Sequence, residues 1–241
     1  MIDRRFLVLL CAALAAPPAV ALAQAGDPAL ATIDGLNGAL LESMKAGKAG
    51  VEARYTRLLP AVERAFDTST MTKFAVGDAW AGYTPAEQAA LVKAFGRLTA
   101  ANLAHNFAGY DGEQFKVNPA VQTRGPDKLV RSQIVPRSDA PTDLNYRMRQ
   151  ATGGTWKVID VYYGSVSQLT AQRSDFAASA VPGGAAELTR KINAKMSSAP
   201  VSSSDRRVRT TARPFRPGGR AFNSPRLGPM PKYILMAKRA R

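Results

Sequence analysis

Cysteine is nearly absent from this 241-residue chain: Cys11 stands alone. It lies in an uncharged run, Phe6 to Ala16, that Pro17 and Pro18 bring to a close. The basic start at Arg4-Arg5, this apolar core and the small-residue steps Ala21-Leu22-Ala23 and Ala23-Gln24-Ala25 have the pattern of a signal peptide over residues 1–25. A membrane anchor needs about 20 apolar residues, and the prolines interrupt this run first. A lipoprotein would carry its cysteine at the end of the apolar core after a small residue, whereas Cys11 follows Leu10 inside it. The expectation is cleavage and action outside the cytoplasm. No cysteine then remains, which excludes disulfides, thiol nucleophiles and thiolate metal sites. Residues 26–204 must be held by their own apolar core and are long enough to form one.

Histidine is equally scarce. His105 is the only one, and no His/Asp/Glu cluster at ligand spacing accompanies it, so no metal or cofactor is expected. A solvated or locally bonded imidazole is the better reading. The chain has no G-x-S-x-G, no G-x-x-x-x-G-K and no G-x-G-x-x-G. One acid stands out: Asp160 interrupts Trp156-Lys-Val-Ile-Asp-Val161, a strand otherwise apolar enough to be buried. A carboxylate there needs a partner or a raised pKa. It is either a general base or half of a structural ion pair. The pair is favoured because no second acid/base group accompanies it. Arg173, one or two turns into the next helix, is the expected partner.

The net charge of +15 is unevenly placed. From Asp205 to the end there are 11 Lys and Arg against one acid, a net +10, and the leader contributes +1. The intervening domain carries 20 Lys and Arg against 16 acids, only +4. The high pI therefore belongs to residues 205–241 and gives no ground for a nucleic-acid partner. That tail is rich in Arg, Pro, Gly and Ser without periodicity, and is expected to be disordered. It is either a solvated extension or an electrostatic anchor to anionic lipid.

Between these ends the patterning is regular. Asp27-Pro28 starts a helix carrying Leu30, Ile33, Leu36, Leu40, Leu41 and Met44 at helical spacing, broken by Gly47 and Gly50. A second helix is expected over 51–65, with Tyr55, Leu58, Leu59 and Val62 inward and Pro60 near a kink or end. Phe66-Asp67-Thr68 caps a third, leading into Met71, Phe74 and Ala75 and closed by Gly77. Thr84-Pro-Ala-Glu87 is a capping box opening a helix to about Phe107. Its apolar residues (Leu91, Val92, Phe95, Leu98, Leu103, Phe107) cover about half the circumference. That breadth suits either a sheet on one flank and a cavity on the other, or plain burial. Strands are expected at 115–123, 129–136, 143–151 and 155–163, the last two joined through Gly153-Gly154. Helices return over 167–181 and from 184 to about 196. The fold class is therefore α+β, with helices laid on one face of a curved, four-stranded antiparallel sheet.

Several of these segments in order resemble the MlaC-like family of periplasmic lipid-binding proteins. They are Phe66-Asp-Thr-Ser-Thr-Met71, Ala75-Val-Gly77, Trp80, Thr84-Pro-Ala-Glu-Gln88 and Phe95-Gly-Arg-Leu98. The second half agrees, through Leu144-Asn-Tyr146, Trp156 to Val161, Gly164-Ser-Val-Ser167 and Arg173-Ser-Asp-Phe176. The likeness runs from about residue 30 to 198. Phe107-Ala-Gly-Tyr110, Thr123-Arg-Gly-Pro-Asp127 and Asp160-Val-Tyr162 are most similar to the hopanoid-associated HpnM branch. The Tyr163-Gly164 step and the basic tail depart from the family pattern.

The resemblance implies a periplasmic, non-enzymatic carrier of a hopanoid or phospholipid, a monomer serving inner-membrane transporter and outer-membrane lipid complexes. It implies an apolar pocket between sheet and helices. The candidate lining is Met71, Phe74, Leu98, Leu103, Phe107, Tyr146, Met148, Val161, Tyr163 and Phe176, and ordinary core is the alternative for each. Two other classes compete with the carrier: a small-molecule enzyme using Asp160, and a surface-binding protein acting through the tail.

Overall fold

The computed structural model describes residues 26–46, 50–180 and 184–198. The expected leader and basic tail lie outside them. Helix α1 (Pro28–Lys45) starts as its sequence dictates: Asp27 Oδ1 accepts from the Ala29 N–H at 2.9 Å, and Pro28 opens the first turn. Its buried stripe is Ile33, Leu36, Leu40 and Met44. Helix α2 (Val51–Ala65) buries Leu58 and Val62 and carries the exposed Pro60 within it rather than ending there. Asp67 caps α3 (Thr68–Val76) by accepting from the Thr70 N–H at 2.9 Å. A 3₁₀ segment (Gly77–Gly82) follows, and its first residue has φ 71°. Helix α4 (Pro85–Asn106) carries the full capping box: the Glu87 N–H donates to Thr84 Oγ1, and Glu87 Oε2 accepts from the Thr84 N–H at 2.8 Å.

The sheet is antiparallel throughout and has seven strands among the described residues, not four. They are β1 (Gln114–Val117), β2 (Gln122–Arg124), β3 (Asp127–Val130), β4 (Ser132–Val135), β5 (Thr142–Gln150), β6 (Trp156–Tyr163) and β7 (Val166–Ser167). The extra count comes mainly from cutting each of the first two expected strands in two. Pro119 has no N–H for a ladder, and Asn118 Oδ1 turns back to accept from the Ala120 N–H. Opposite this bulge, the ladder also breaks at Arg131: the Ser132 N–H donates to the side chain of Asn145 at 3.2 Å. β1 then pairs with β4, and β2 with β3, while β3 and β4 share the long strand β5. β6 pairs with β5 on its other side, with a register shift between Arg147 and Met148, and β7 closes the edge.

On the inner face of the sheet Val130, Ile134, Leu144, Tyr146, Met148 and Val158 are all buried. Helices α1, α2, α3 and α5 (Gln168–Ala180) pack on it. The chief packing partners of α4 are instead α2, α3 and α6 (Gly184–Ser198), so its broad apolar surface is used mainly against helices. Of the two readings its breadth allowed, burial, here against helices, describes α4 better than a sheet on one flank. With neighbours on three sides it buries Leu91, Phe95 and Leu98 together with small residues such as Ala94, Gly96 and Ala100.

Candidate functional site

The residues expected to line a pocket gather around one apolar cluster. Met71, Leu98, Phe107, Tyr146, Met148 and Phe176 are buried members of it, and Leu103, Val161 and Tyr163 are half-buried against it. Phe95 and Phe176 meet edge to face at 6.0 Å, and Phe107 leans on Phe115 at 6.1 Å. Phe74 does not join them; it is 44 % exposed. The residues α3 buries are Met71, Thr72, Ala75 and Val76. At 100° per residue Phe74 points about 130° away from the middle of that arc. Arg173 covers its outer side, with the guanidinium carbon 5.0 Å from the ring centre.

One polar pair crosses the cluster. The Tyr146 hydroxyl donates to Asn37 Oδ1 at 2.9 Å, and both side chains are buried. Burial, with Tyr163 nearby, pushes the Tyr146 phenol well above the ordinary tyrosine range. It is therefore a neutral hydroxyl donor at any physiological pH. Asn37 Nδ2 is buried and has no partner among the described residues.

Asp160 is buried, as its strand predicts, but Arg173 is not its partner. Its Oδ1 accepts from the N–H groups of Val161 at 2.8 Å and Leu169 at 3.1 Å, and its Oδ2 accepts from Ser167 Oγ at 2.6 Å. The tight β6–β7 turn brings the first turn of α5 directly over β6, so the carboxylate meets the positive end of that helix. Arg173 sits more than a turn further along α5, where it donates to the Phe74 carbonyl at 2.8 Å. Asp160 is thus a cap built into the neighbouring strand, and its oxygens are engaged in holding the backbone.

A cleft of about 520 Å³ opens between α2, α3 and α4. Leu59, Trp80 and Val92 form its apolar walls, and Glu63, Lys93 and Arg97 also line it. Gln88 fixes the Trp80 wall by donating to the carbonyls of Trp80 and Tyr83. None of the ten expected lining residues borders it. Of its lining, the sequence singles out Val92 within the broad α4 arc, Leu59 on the inward side of α2 and Trp80. The size falls within the range of small-molecule sites. A second cleft, of about 340 Å³, lies on the outer, polar face of the sheet around Asp127, Arg147 and Tyr162. Among the described residues no three His, Cys, Asp or Glu side chains gather as a metal site, and no helix is long and apolar enough to cross a membrane.

Comparison with known proteins agrees with this architecture. The model of the family described as "MlaC protein" matches residues 34–194. Among solved structures, the chain is similar to a phospholipid-binding protein from Ralstonia solanacearum, determined in complex with a phospholipid. The TM-score is 0.60 at 18 % identity, and the match covers 71 % of this chain and 96 % of that one. At this identity the likeness shows a shared fold. No match is found among curated proteins.

Proposed function

This chain belongs to the MlaC family, and we propose that it binds lipid and carries it between the inner and outer membranes. The observation that carries this reading is the family match, which spans nearly all of the described domain. The fold shared with a protein solved in complex with a phospholipid supports it. The ligand is a phospholipid or a hopanoid, and its apolar part lies between the sheet and the helices. Met71, Leu98, Leu103, Phe107, Tyr146, Met148, Val161, Tyr163 and Phe176 are the proposed lining; Phe74 is withdrawn from it because it faces outward. The site of action is the periplasm, reached after loss of residues 1–25, and the chain works as a monomer with membrane complexes at either end.

Energetics favour a carrier of this kind. Each buried methylene contributes about 0.8 kcal/mol, so lipid chains do not cross water unaided at a useful rate. The same term slows unaided release, so docking to a membrane partner has to loosen the packing between sheet and helices. Because most of the proposed lining is buried in the core, loading requires the helices to move off the sheet. Binding rather than catalysis is further favoured by Asp160, whose oxygens are occupied by N–H and hydroxyl donors. The test is solvent extraction of protein purified from its native host, followed by mass spectrometry of the extract. Stoichiometric phospholipid or hopanoid is expected, and a lipid-free extract would overturn the proposal.

A further inference from the structure

The outer face of the sheet holds an arrangement that lipid-tail binding leaves unused. Three cations line the 340 Å³ cleft there: Arg124, Lys128 and Arg147. Lys128 is neutralised by Asp27, at 2.6 Å, and covers the Trp156 ring. Asp127 is the only acid in the lining, and it is buried beneath two guanidiniums. Arg147 donates through Nε to its Oδ2, and Arg149 through Nε to its Oδ1, each at 2.6 Å. One carboxylate thus anchors two arginines, both of which stay substantially exposed, at 47 % and 40 %. Arg124, in β2 beside Asp127 in the register, is exposed and has no partner among the described residues. The nearby Asp160 carboxylate is buried and accepts from the Val161 N–H of β6, the Ser167 hydroxyl of β7 and the Leu169 N–H of α5, with Tyr162 also hydrogen-bonded to it.

The result is a concave site whose accessible charge is positive. Its arginines are held in place by buried structure rather than extended freely into solvent. Leu129 and the Tyr162 ring supply its less polar wall. We propose that this cleft binds a phosphate group, with the fork of Arg124 closing on its oxygens from one side and the N–H groups that Arg147 does not direct at Asp127 from the other. Guanidinium forks match oxyanion geometry, and pre-anchoring Arg147 on Asp127 lowers the ordering cost of binding. The site lies on the face of the sheet opposite the apolar cluster, so it stands whether or not the interior carries lipid. A phospholipid headgroup in a membrane and a soluble phosphate ester present the same chemistry.

The experiment uses full-length protein and two variants, Arg124→Gln and Arg57→Gln. Arg57 is an exposed arginine on α2, away from the cleft, so it controls for a lost charge. Inorganic phosphate is titrated calorimetrically at constant ionic strength, and thermal melts confirm that each variant is folded. In parallel, sedimentation measures binding to vesicles of phosphatidylglycerol and of phosphatidylcholine. The expected result is saturable phosphate binding that Arg124→Gln weakens about tenfold or more and Arg57→Gln leaves unchanged. If phosphatidylglycerol binding falls in the same selective way, the phosphate belongs to a membrane lipid. If only the phosphate titration responds, it belongs to a soluble ester. No effect specific to Arg124 in either arm overturns the proposal. The basic residues after Asp205 are present in all three proteins, so their attraction to vesicles cancels in the comparison.

Discussion

The hydroxyl of Tyr146 on β5 donates to Asn37 Oδ1 on α1 at 2.9 Å, tying the sheet to the helix laid across it. Removing that hydroxyl leaves a buried amide oxygen unpaired. Tyr146→Phe is expected to cost about 1–3 kcal/mol, the usual penalty for a stranded buried acceptor. Asn37 Nδ2 has no partner among the described residues even with Tyr146 in place. Adding Asn37→Leu should therefore recover part of the loss. Urea denaturation of the single and double variants measures both effects.

Asp160 caps α5 from the neighbouring strand. Asp160→Asn keeps the volume but removes the charge facing the helix N-terminus and one acceptor. A loss of about 1–2 kcal/mol is expected, read from chemical denaturation. The amount of lipid that copurifies should not change. A folded Asp160→Asn protein of full stability would show that the cap contributes little.

Stability should fall in acid, partly through Asp127. Burial works to raise its pKa, but the hydrogen bonds and charges of Arg149 and Arg147 outweigh this and hold the carboxyl below its ordinary value. A carboxyl depressed on folding stabilises above its unfolded pKa, near 4, and loses that contribution as pH falls through the lower folded value. Denaturation midpoints measured from pH 6 down to pH 2 should therefore drop below about pH 4. In Asp127→Asn the drop should be shallower.

Phe74 and Leu98 are both candidates for the lining that the family resemblance implies, and the structure separates them: Leu98 is buried and Phe74 is exposed. Leu98→Ala empties part of a packed core and is expected to cost about 2–5 kcal/mol. Phe74→Ser loses an exposed ring and its contact with Arg173, at about 0.5–1 kcal/mol. Thermal melts give the ranking, and lipid content per chain should be unchanged only in Phe74→Ser.

The helix starts were legible because their signals are local. Asp27-Pro28, Asp67 and the Thr84–Glu87 box act over three or four residues, and each caps the helix it announces. The strand breaks were not legible. The break at Arg131 depends on the side chain of Asn145, a contact across the sheet, and the Pro119 bulge matters only against that partner. The partner of Asp160 was missed for a related reason. A buried acid suggested a basic side chain, whereas the donors are two backbone N–H groups and a serine hydroxyl delivered by a turn. Phe74 was misread because apolar character alone does not say which side of a nine-residue helix meets the core. The arginines around Asp127 alternate along β5 like any wet strand face, and nothing in the sequence reveals that two of them share one buried carboxylate.

Native mass spectrometry of intact protein purified from its own host tests the central claim most directly, because it reports ligand mass and stoichiometry together. Lipid carriage predicts a folded monomer whose mass exceeds the polypeptide by that of one phospholipid or hopanoid, released on activation. A folded protein at the bare polypeptide mass, unchanged after incubation with host lipids, would contradict it.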